Sequence, residues 1–177
     1  MKLVPGDAVK VKGELDEDQR FNFFVLESRH AEKPWDVFSE KIGVVNNVNE
    51  EKQVIRYIVD REVNGEIPMS ELSGAFAEGD TIEVRLSRYV SKRGPMYRVL
   101  LARATDKKPS ELLKKDFSEE VRVSNGMGFT QNDIFVPAHL LAKHHIDDDQ
   151  KIAGTAVLSY NVKRARWGWK AVAIDRG

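Results

Sequence analysis

The feature that most constrains the fold is an internal repeat of one strand–loop–strand design. Three segments open on Gly-Asp or acidic turn residues, continue as an alternating strand, cross a charged loop and end in an aromatic-rich second strand. These segments are Gly6–Ser28, Gly79–Ala102 and Asp148–Ile174. A period of about 70 to 80 residues indicates copies of one small all-β unit, each containing a long hairpin.

The joints between the copies repeat as well. A Lys-Pro pair ending at Pro34 or Pro109 precedes a Phe-Ser-Glu triplet that begins at Phe38 or Phe117. We therefore expect a β-hairpin over residues 1–30, unit A over 38–105 and unit B over 117–177. The hairpin is either the end of a truncated preceding unit, which we favour, or two strands packed on the next unit. The strands expected in unit A are Ile42–Val48, Val54–Val59, Glu62–Ile67, Thr81–Ser87 and Met96–Ala104.

In unit B the most informative stretch is NGMGFTQNDIFVP, residues 125–137. It predicts two short strands joined by a turn at residues 131–133, with turn-forming side chains. Alternation places Met127 and Phe129 on one face of the first strand, and puts Phe135 on the face of the second strand opposite Ile134 and Val136. The flanking glycines, 126 and 128, leave the backbone open, so these rings are available for a planar group to stack on.

The pair GMGF and DIFV resembles the ribonucleoprotein motifs of cold-shock domains, and DIFVPAHLLAKHHI is similar to the cold-shock-like RNA-binding domain of the transcription terminator Rho. The resemblance covers about residues 117–177. It implies a small five-stranded OB barrel that stacks unpaired bases on Phe129 and Phe135. Met127 stands where that pattern has its first Phe, Pro137 where it has His, and Val123 near a usual Trp.

In unit A the segment GEIPMSEL, residues 65–72, is similar to the signature of the S-one-type RNA-binding repeat of ribosomal proteins, another OB barrel. The fold class that we expect is therefore all-β: tandem five-stranded OB or cold-shock-like barrels with short connecting helices. One such helix is expected at His139–His145, followed by an acidic turn. Base stacking in unit A would fall to Tyr57, although the core is the stronger alternative for this ring.

Charge is balanced overall but not locally. The 177 residues carry 28 basic and 28 acidic side chains, whereas nucleic-acid modules are usually basic. The net charge is −3 over residues 1–40, +1 over 41–105 and +2 over 106–177. The lack of cysteine excludes disulfides and thiolate metal sites, and no apolar run reaches the length of a membrane span. We expect a cytoplasmic protein with no membrane contact.

Two basic hairpins surround aromatic side chains, a combination that can hold phosphates while rings meet bases. The candidate nucleic-acid-binding residues are Met127, Phe129, Phe135, Arg122, Lys163, Arg164, Arg166, Trp167, Trp169, Tyr57, Arg88 and Arg93. The competing explanation is that the rings are core or are covered by a neighbouring unit, and that the hairpins are solvated surface. For the two tryptophans, base binding and packing between units are equally compatible with the sequence.

Catalytic and metal-binding patterns are not found. His139, His144 and His145 precede three aspartates, but histidines five or six apart on a short helix do not share a face, so we expect a helix end and a turn. The function that we expect is binding of single-stranded RNA, or less favourably DNA, without catalysis, cofactor or metal. The alternatives are a protein-interaction or spacer array with other domains of a longer chain, and a recruiting module for a catalytic domain outside these residues.

Overall fold

The computed structural model describes residues 9–28, 38, 40–92 and 94–175, with only the backbone at residues 27 and 28. It confirms the predicted all-β class, with two five-stranded barrel-like sheets and one short α-helix. The described residues group into two compact units. One contains those up to residue 40 together with 85–101, and the other contains 41–84 and those from 102 onward. Among the described residues, no helix has the length and apolar character needed to cross a bilayer.

The chain begins with an antiparallel hairpin, formed by β1 (Val9–Leu15) and β2 (Phe21–Ser28). Asp16 closes its turn by accepting a hydrogen bond of 2.8 Å from the Arg20 backbone N–H. Pairing in register puts six apolar side chains on one face, and each is 38–60% exposed. They are Val9, Val11, Leu15, Phe21, Phe23 and Leu26. Assigning this hairpin to a truncated preceding unit stays a prediction, and the joint at Pro34 lies outside the described residues.

Sheet A is formed by five strands in the order β5-β4-β3-β6-β7. They are β3 (Glu40–Asn49), β4 (Val54–Ile58), β5 (Asn64–Pro68), β6 (Thr81–Ser91) and β7 (Gly94–Ala104). A 3₁₀ turn at Met69–Glu71 follows β5. All five predicted strands exist, but β5 begins two residues later than expected. The Asp60 carboxylate accepts hydrogen bonds of 2.8 and 2.7 Å from the backbone N–H groups of Glu62 and Val63, which keeps Glu62 in the turn.

Barrel B is closed, with strand order β10-β12-β11-β8-β9. Its strands are β8 (Lys114–Ser124), β9 (Met127–Thr130), β10 (Ile134–Val136), β11 (Gln150–Asn161) and β12 (Arg166–Ile174). The predicted helix is present as α1 (Ala138–His144), whose Leu140 and Leu141 are buried. The barrel core contains Phe117, Val121, Ile134, Val136, Ile146, Ile152, Ala156 and Ala171.

A β-bulge changes which side chains of the last strand face the barrel core. Alternation along the sequence assigns Val172 to the barrel core and Ala171 to the other face. In the structure, Thr155 pairs with Ala173 and Ala156 with Ala171, so Val172 is an extra residue without a partner on β11. The inserted residue reverses the alternation. Ala171 is therefore fully buried in the barrel core, whereas Val172 packs against a different cluster.

That second cluster joins sheet A to barrel B. The contact fixes the position of one sheet relative to the other. Val44 and Ile58 of sheet A pack with Leu113, Val157 and Leu158, and all five are at most 7% exposed. Hydrogen bonds cross the same contact: Asn46 Nδ2 donates to the Leu158 carbonyl at 3.3 Å, Lys114 Nζ to the Gly79 carbonyl at 2.8 Å and Lys170 Nζ to Glu78 at 2.8 Å. The two sheets therefore share a core.

Candidate nucleic-acid interface

The two phenylalanines singled out by the sequence lie side by side on the outer face of barrel B. Phe129 pairs in register with Arg122 on β8 and with Phe135 on β10, and Phe135 in turn pairs with Lys170 on β12. The ring centroids are 5.5 Å apart and the planes are inclined at 44°. Both rings are half-buried, and Met127 beside them is 42% exposed. The row presents two aromatic rings between two cationic side chains.

Gly128 keeps this row in place for a reason that differs from the expected one. Its missing side chain points into the barrel, where a Cβ atom would lie 2.8 Å from Val121 Cγ2 and 3.1 Å from Val136 Cβ. Close packing of β9 on the core therefore requires glycine there. Gly126, in contrast, lies in the turn with a φ of +71° and open space around it.

The turn between β9 and β10 is held by Glu119, which ends the repeated Phe-Ser-Glu triplet but was not among the predicted site residues. Its carboxylate accepts hydrogen bonds from the Asn132 backbone N–H at 3.0 Å and from Asn132 Nδ2 at 2.9 Å. Burial on its own would raise the pKa of Glu119, but hydrogen bonds from Thr130 and Asn132 and the charge of Lys115 outweigh it and lower that pKa. The ionised carboxylate thus fixes the turn that carries both rings.

The predicted basic hairpin lies at the same place. Lys163 and Arg164 are exposed in the turn between β11 and β12, and the Arg164 guanidinium lies 5.5 Å from the centroid of Phe129. Arg166 contacts Asp133 at 3.0 Å. These groups and the aromatic row surround a cleft of about 430 Å³, called here the barrel B cleft. It is lined by Met127, Phe129, Asp133, Phe135, Ser159, Tyr160, Asn161, Lys163, Arg164, Arg166, Gly168, Trp169 and Lys170.

The two tryptophans pack between the sheets, one of the two roles that the sequence left open, and base binding by them stays a prediction. Trp167 and Trp169 are half-buried and pack against the cluster shared by sheet A and barrel B. Trp169 also lines the barrel B cleft, with Lys115 Nζ 4.4 Å from its ring centroid. Trp167 makes an edge-on contact with Tyr160, with centroids 5.2 Å apart, and lines a second cleft.

Tyr57 is a correction to the predicted set, because its side chain is almost fully buried, although the residue also lines the second cleft. The residue is 2% exposed and lies on the same side of β4 as Ile55, which is 1% exposed. Burial raises the pKa of Tyr57 to about 12. Its ring packs beside Gly65, its pairing partner on β5. An inward-facing position makes this residue part of the core.

The three remaining candidates differ in their position relative to this site. Arg122 is exposed at the end of the aromatic row. Arg88 is exposed on β6 and belongs to the compact unit of the N-terminal hairpin, and it is not among the residues that line the barrel B cleft. Arg93 lies outside the described residues.

The histidine-rich helix end has a structural explanation. His145 ends α1 in the left-handed conformation, with a φ of 50°. Asp148 then accepts a hydrogen bond of 2.8 Å from the Val123 backbone N–H and ties the acidic turn to β8. In the part of the chain that the structure describes, no group of three or more histidine, aspartate or glutamate side chains is arranged to hold a metal ion.

Two matches to known domain families agree with this architecture. Residues 35–99 match S1/CSD-like domain 1 of the TOTE conflict systems, and residues 115–174 match S1/CSD-like domain 2 of the same systems. No curated protein matches the chain. The two matched regions follow one another in the order in which the domains are numbered. The chain is therefore a tandem OB-fold, cold-shock-like protein whose two domains are similar to S1/CSD-like domains 1 and 2 of the TOTE conflict systems, a class of domain that points to nucleic-acid binding in general.

Proposed function

We propose that this chain binds single-stranded nucleic acid across the barrel B cleft, with RNA preferred to DNA. The observation that carries the proposal is the pair Phe129 and Phe135, tilted rings 5.5 Å apart with the Arg164 guanidinium over one of them. Stacking of a base on an aromatic side chain contributes about 1–3 kcal/mol with little sequence preference. Two adjacent rings and the thioether of Met127 offer places for successive bases.

The cations around the rings divide into paired and unpaired groups. Arg166 is paired with Asp133, and Lys170 with Glu78. Lys163 and Arg122 make no ion pair with a described residue and are exposed. The unpaired cations are the better partners for phosphates, since contact with them does not require breaking an existing ion pair. The strand we propose therefore has its bases on the rings and its backbone along Lys163, Arg164 and Arg122.

The finer parts of the proposal rest on the family. The resemblance to cold-shock domains and to the RNA-binding domain of Rho favours RNA. S1/CSD-like domains are typically binding modules, so we propose that the chain itself carries out no catalysis. Zero cysteines and the absence of an apolar sequence run as long as a membrane span support a cytoplasmic location.

The test is a titration of labelled oligo-U and oligo-dT at low salt with five proteins. Phe129→Ala and Phe135→Ala should each weaken binding about fivefold or more, and the double variant further. The matched control is the double variant Phe23→Ala, Phe24→Ala, which removes two rings that are 60% and 63% exposed on β2 and do not line the cleft. Binding of wild type should also weaken with rising salt. No binding of either oligonucleotide at low salt would refute the proposal.

A protein-interaction module is a second candidate, favoured by the N-terminal hairpin. Its six-residue apolar face is 38–60% exposed, and exposed apolar patches mark interaction sites. The net charge of zero is also atypical of a nucleic-acid module. A partner captured from nuclease-treated extract by wild type, but not by the Phe23→Ala, Phe24→Ala variant, together with absent oligonucleotide binding, would select this candidate.

A further inference from the structure

A second cleft, called here the A–B cleft, lies where sheet A meets barrel B. Its volume of about 470 Å³ falls within the range of small-molecule sites. Sheet A contributes the amides of Asn46, Asn47 and Asn64, and barrel B contributes the Tyr160–Trp167 pair. Amide groups that can donate and accept, beside an aromatic pair, are the surroundings that a nucleobase edge and face require.

One of these amides carries an unused acceptor. Asn46 is the extra residue of a β-bulge, since Val45 pairs with Tyr57 and Asn47 with Arg56. Its Nδ2 donates to the Leu158 carbonyl, which fixes the orientation of the amide. Asn46 is 8% exposed, and its Oδ1 has no hydrogen-bond partner among the described residues. Leaving a buried acceptor without a partner is unfavourable. Because Asn46 lines the A–B cleft, a ligand with an N–H donor in this cleft would satisfy the acceptor after a small movement of the side chain.

Charge distinguishes a base from a phosphate as the occupant. The two cations that line the A–B cleft are already neutralised: Arg56 contacts Glu66 at 2.6 Å and Lys170 contacts Glu78 at 2.8 Å. A phosphate entering there would have to compete with these carboxylates. An uncharged group with N–H donors would not, and every common nucleobase has such donors.

The A–B cleft also shares part of its lining with the barrel B cleft. Ser159, Tyr160 and Lys170 line both of them. A strand bound on Phe129 and Phe135 therefore needs to pass only these three residues of β11 and β12 to reach the A–B cleft.

From these observations we infer that the A–B cleft is a base pocket for one further nucleotide of the strand bound in the barrel B cleft, and that the two domains form one composite site. The inference rests on the proposed function and adds a position to it. Because sheet A and barrel B share a buried cluster and cross-sheet hydrogen bonds, the pocket exists before the strand binds.

The first test compares oligo-U of about four and about twelve nucleotides, the short one near the lower limit for a single OB fold. The variant is Asn64→Glu, which places a longer, anionic side chain at an exposed residue that lines only the A–B cleft. The matched control is Asn49→Glu, the same change on sheet A at a residue that lines neither cleft. Circular dichroism confirms that both variants are folded.

We expect Asn64→Glu to weaken binding of the long oligonucleotide about fivefold or more relative to Asn49→Glu, and to leave the short one unchanged. Equal effects of the two variants at both lengths, with wild type binding and the Phe129→Ala and Phe135→Ala variants impaired, would overturn the composite site and leave the proposed function standing. Failure of wild type to bind either length would instead be a failure of the proposed function.

A second measurement has its main readout on wild type. A series of twelve-nucleotide oligo-U strands, each with one abasic residue, is titrated against wild type. We expect a loss of about fivefold or more at one position beyond those that the short oligonucleotide needs, and a smaller loss at that position with Asn64→Glu. A profile in which only the positions needed by the short oligonucleotide matter would contradict the pocket.

Discussion

At the scale of single residues, the direction of each aromatic side chain decides its role. Phe129 and Phe135 alternate with buried residues on β9 and β10, so their rings face outward beside Arg164. Tyr57 falls on the inward side of β4 with Ile55 and is enclosed. A substitution at Tyr57 should therefore lower the free energy of unfolding by disturbing the core. A substitution at Phe129 or Phe135 should instead change the binding surface.

The burial of Tyr57 makes the alkaline stability of the protein testable. The folded pKa is raised from 10.0 to about 12 by burial. Between these values the unfolded chain has lost the Tyr57 proton and the folded chain retains it, so the free energy of unfolding falls as pH rises through this window. Tyr57→Phe has no such proton. Urea denaturation at pH 7, 10 and 11 should therefore show wild type losing more stability than Tyr57→Phe. Parallel losses in the two proteins would contradict burial of the hydroxyl.

At the scale of elements, the β9–β10 turn and two bulges shape the site. Glu119 on β8 fixes the turn, and the bulge at Asn46 places an amide against barrel B. The bulge at Val172 sends that side chain to the shared cluster. Bulges redirect side chains in this way at functional edges of sheets. The site thus depends on hydrogen bonds and irregularities that lie outside its own aromatic row.

The β9–β10 turn, held by Glu119, should make the stability of the protein depend on pH. The folded pKa of Glu119 is lowered, so its stabilising contribution is present above its unfolded pKa and is lost as pH falls through the folded value. Glu119→Gln should cost about 0.5–1.5 kcal/mol at neutral pH, and the difference from wild type should shrink in acid. Urea denaturation at pH 7 and pH 3 measures this. The control is Glu51→Gln, an exposed carboxylate without a hydrogen bond or ion pair among the described residues. If the difference in stability between wild type and Glu119→Gln were the same at pH 3 as at pH 7, the ionised Glu119 carboxylate would not be what stabilises the turn.

At the scale of the whole molecule, the shared cluster determines how the two domains act. Leu158 and Val157 of barrel B pack with Val44 and Ile58 of sheet A. Because the contact is apolar, buried and crossed by hydrogen bonds, we expect sheet A and barrel B to unfold together. A fixed relation between the two sheets is also what a binding site made from both of them requires.

Removing part of this contact should affect both domains. Leu158 is 7% exposed, and Leu158→Ala should lower the free energy of unfolding by about 2–5 kcal/mol through lost packing and the cavity left behind. Leu112→Ala, at a residue that is 77% exposed, should change it by less than about 0.5 kcal/mol. Calorimetry should show a single transition for wild type. A Leu158→Ala protein as stable as Leu112→Ala would mean that the cluster does not join the sheets.

The sequence by itself determined the elements of this protein. Turn residues and strand alternation predicted the five strands of sheet A, the helix after β10 and the outward faces of Phe129 and Phe135, because these features depend on neighbours along the chain. The repeated hairpins and the GMGF–DIFV pair indicated tandem OB-type units, which the family matches support.

Only the tertiary structure decided what those elements do together. An extra residue in a strand reverses its alternation, so the burial of Ala171 and the position of Val172 required the pairing partner, β11. The sequence gave no indication of the roles of Glu119, Tyr160 and Asn46, because each acts through a partner on a different element. These partners are 13, 7 and 112 residues away along the chain. The A–B cleft has the same origin: its walls come from two domains, and contacts between distant segments are fixed by packing rather than by local pattern.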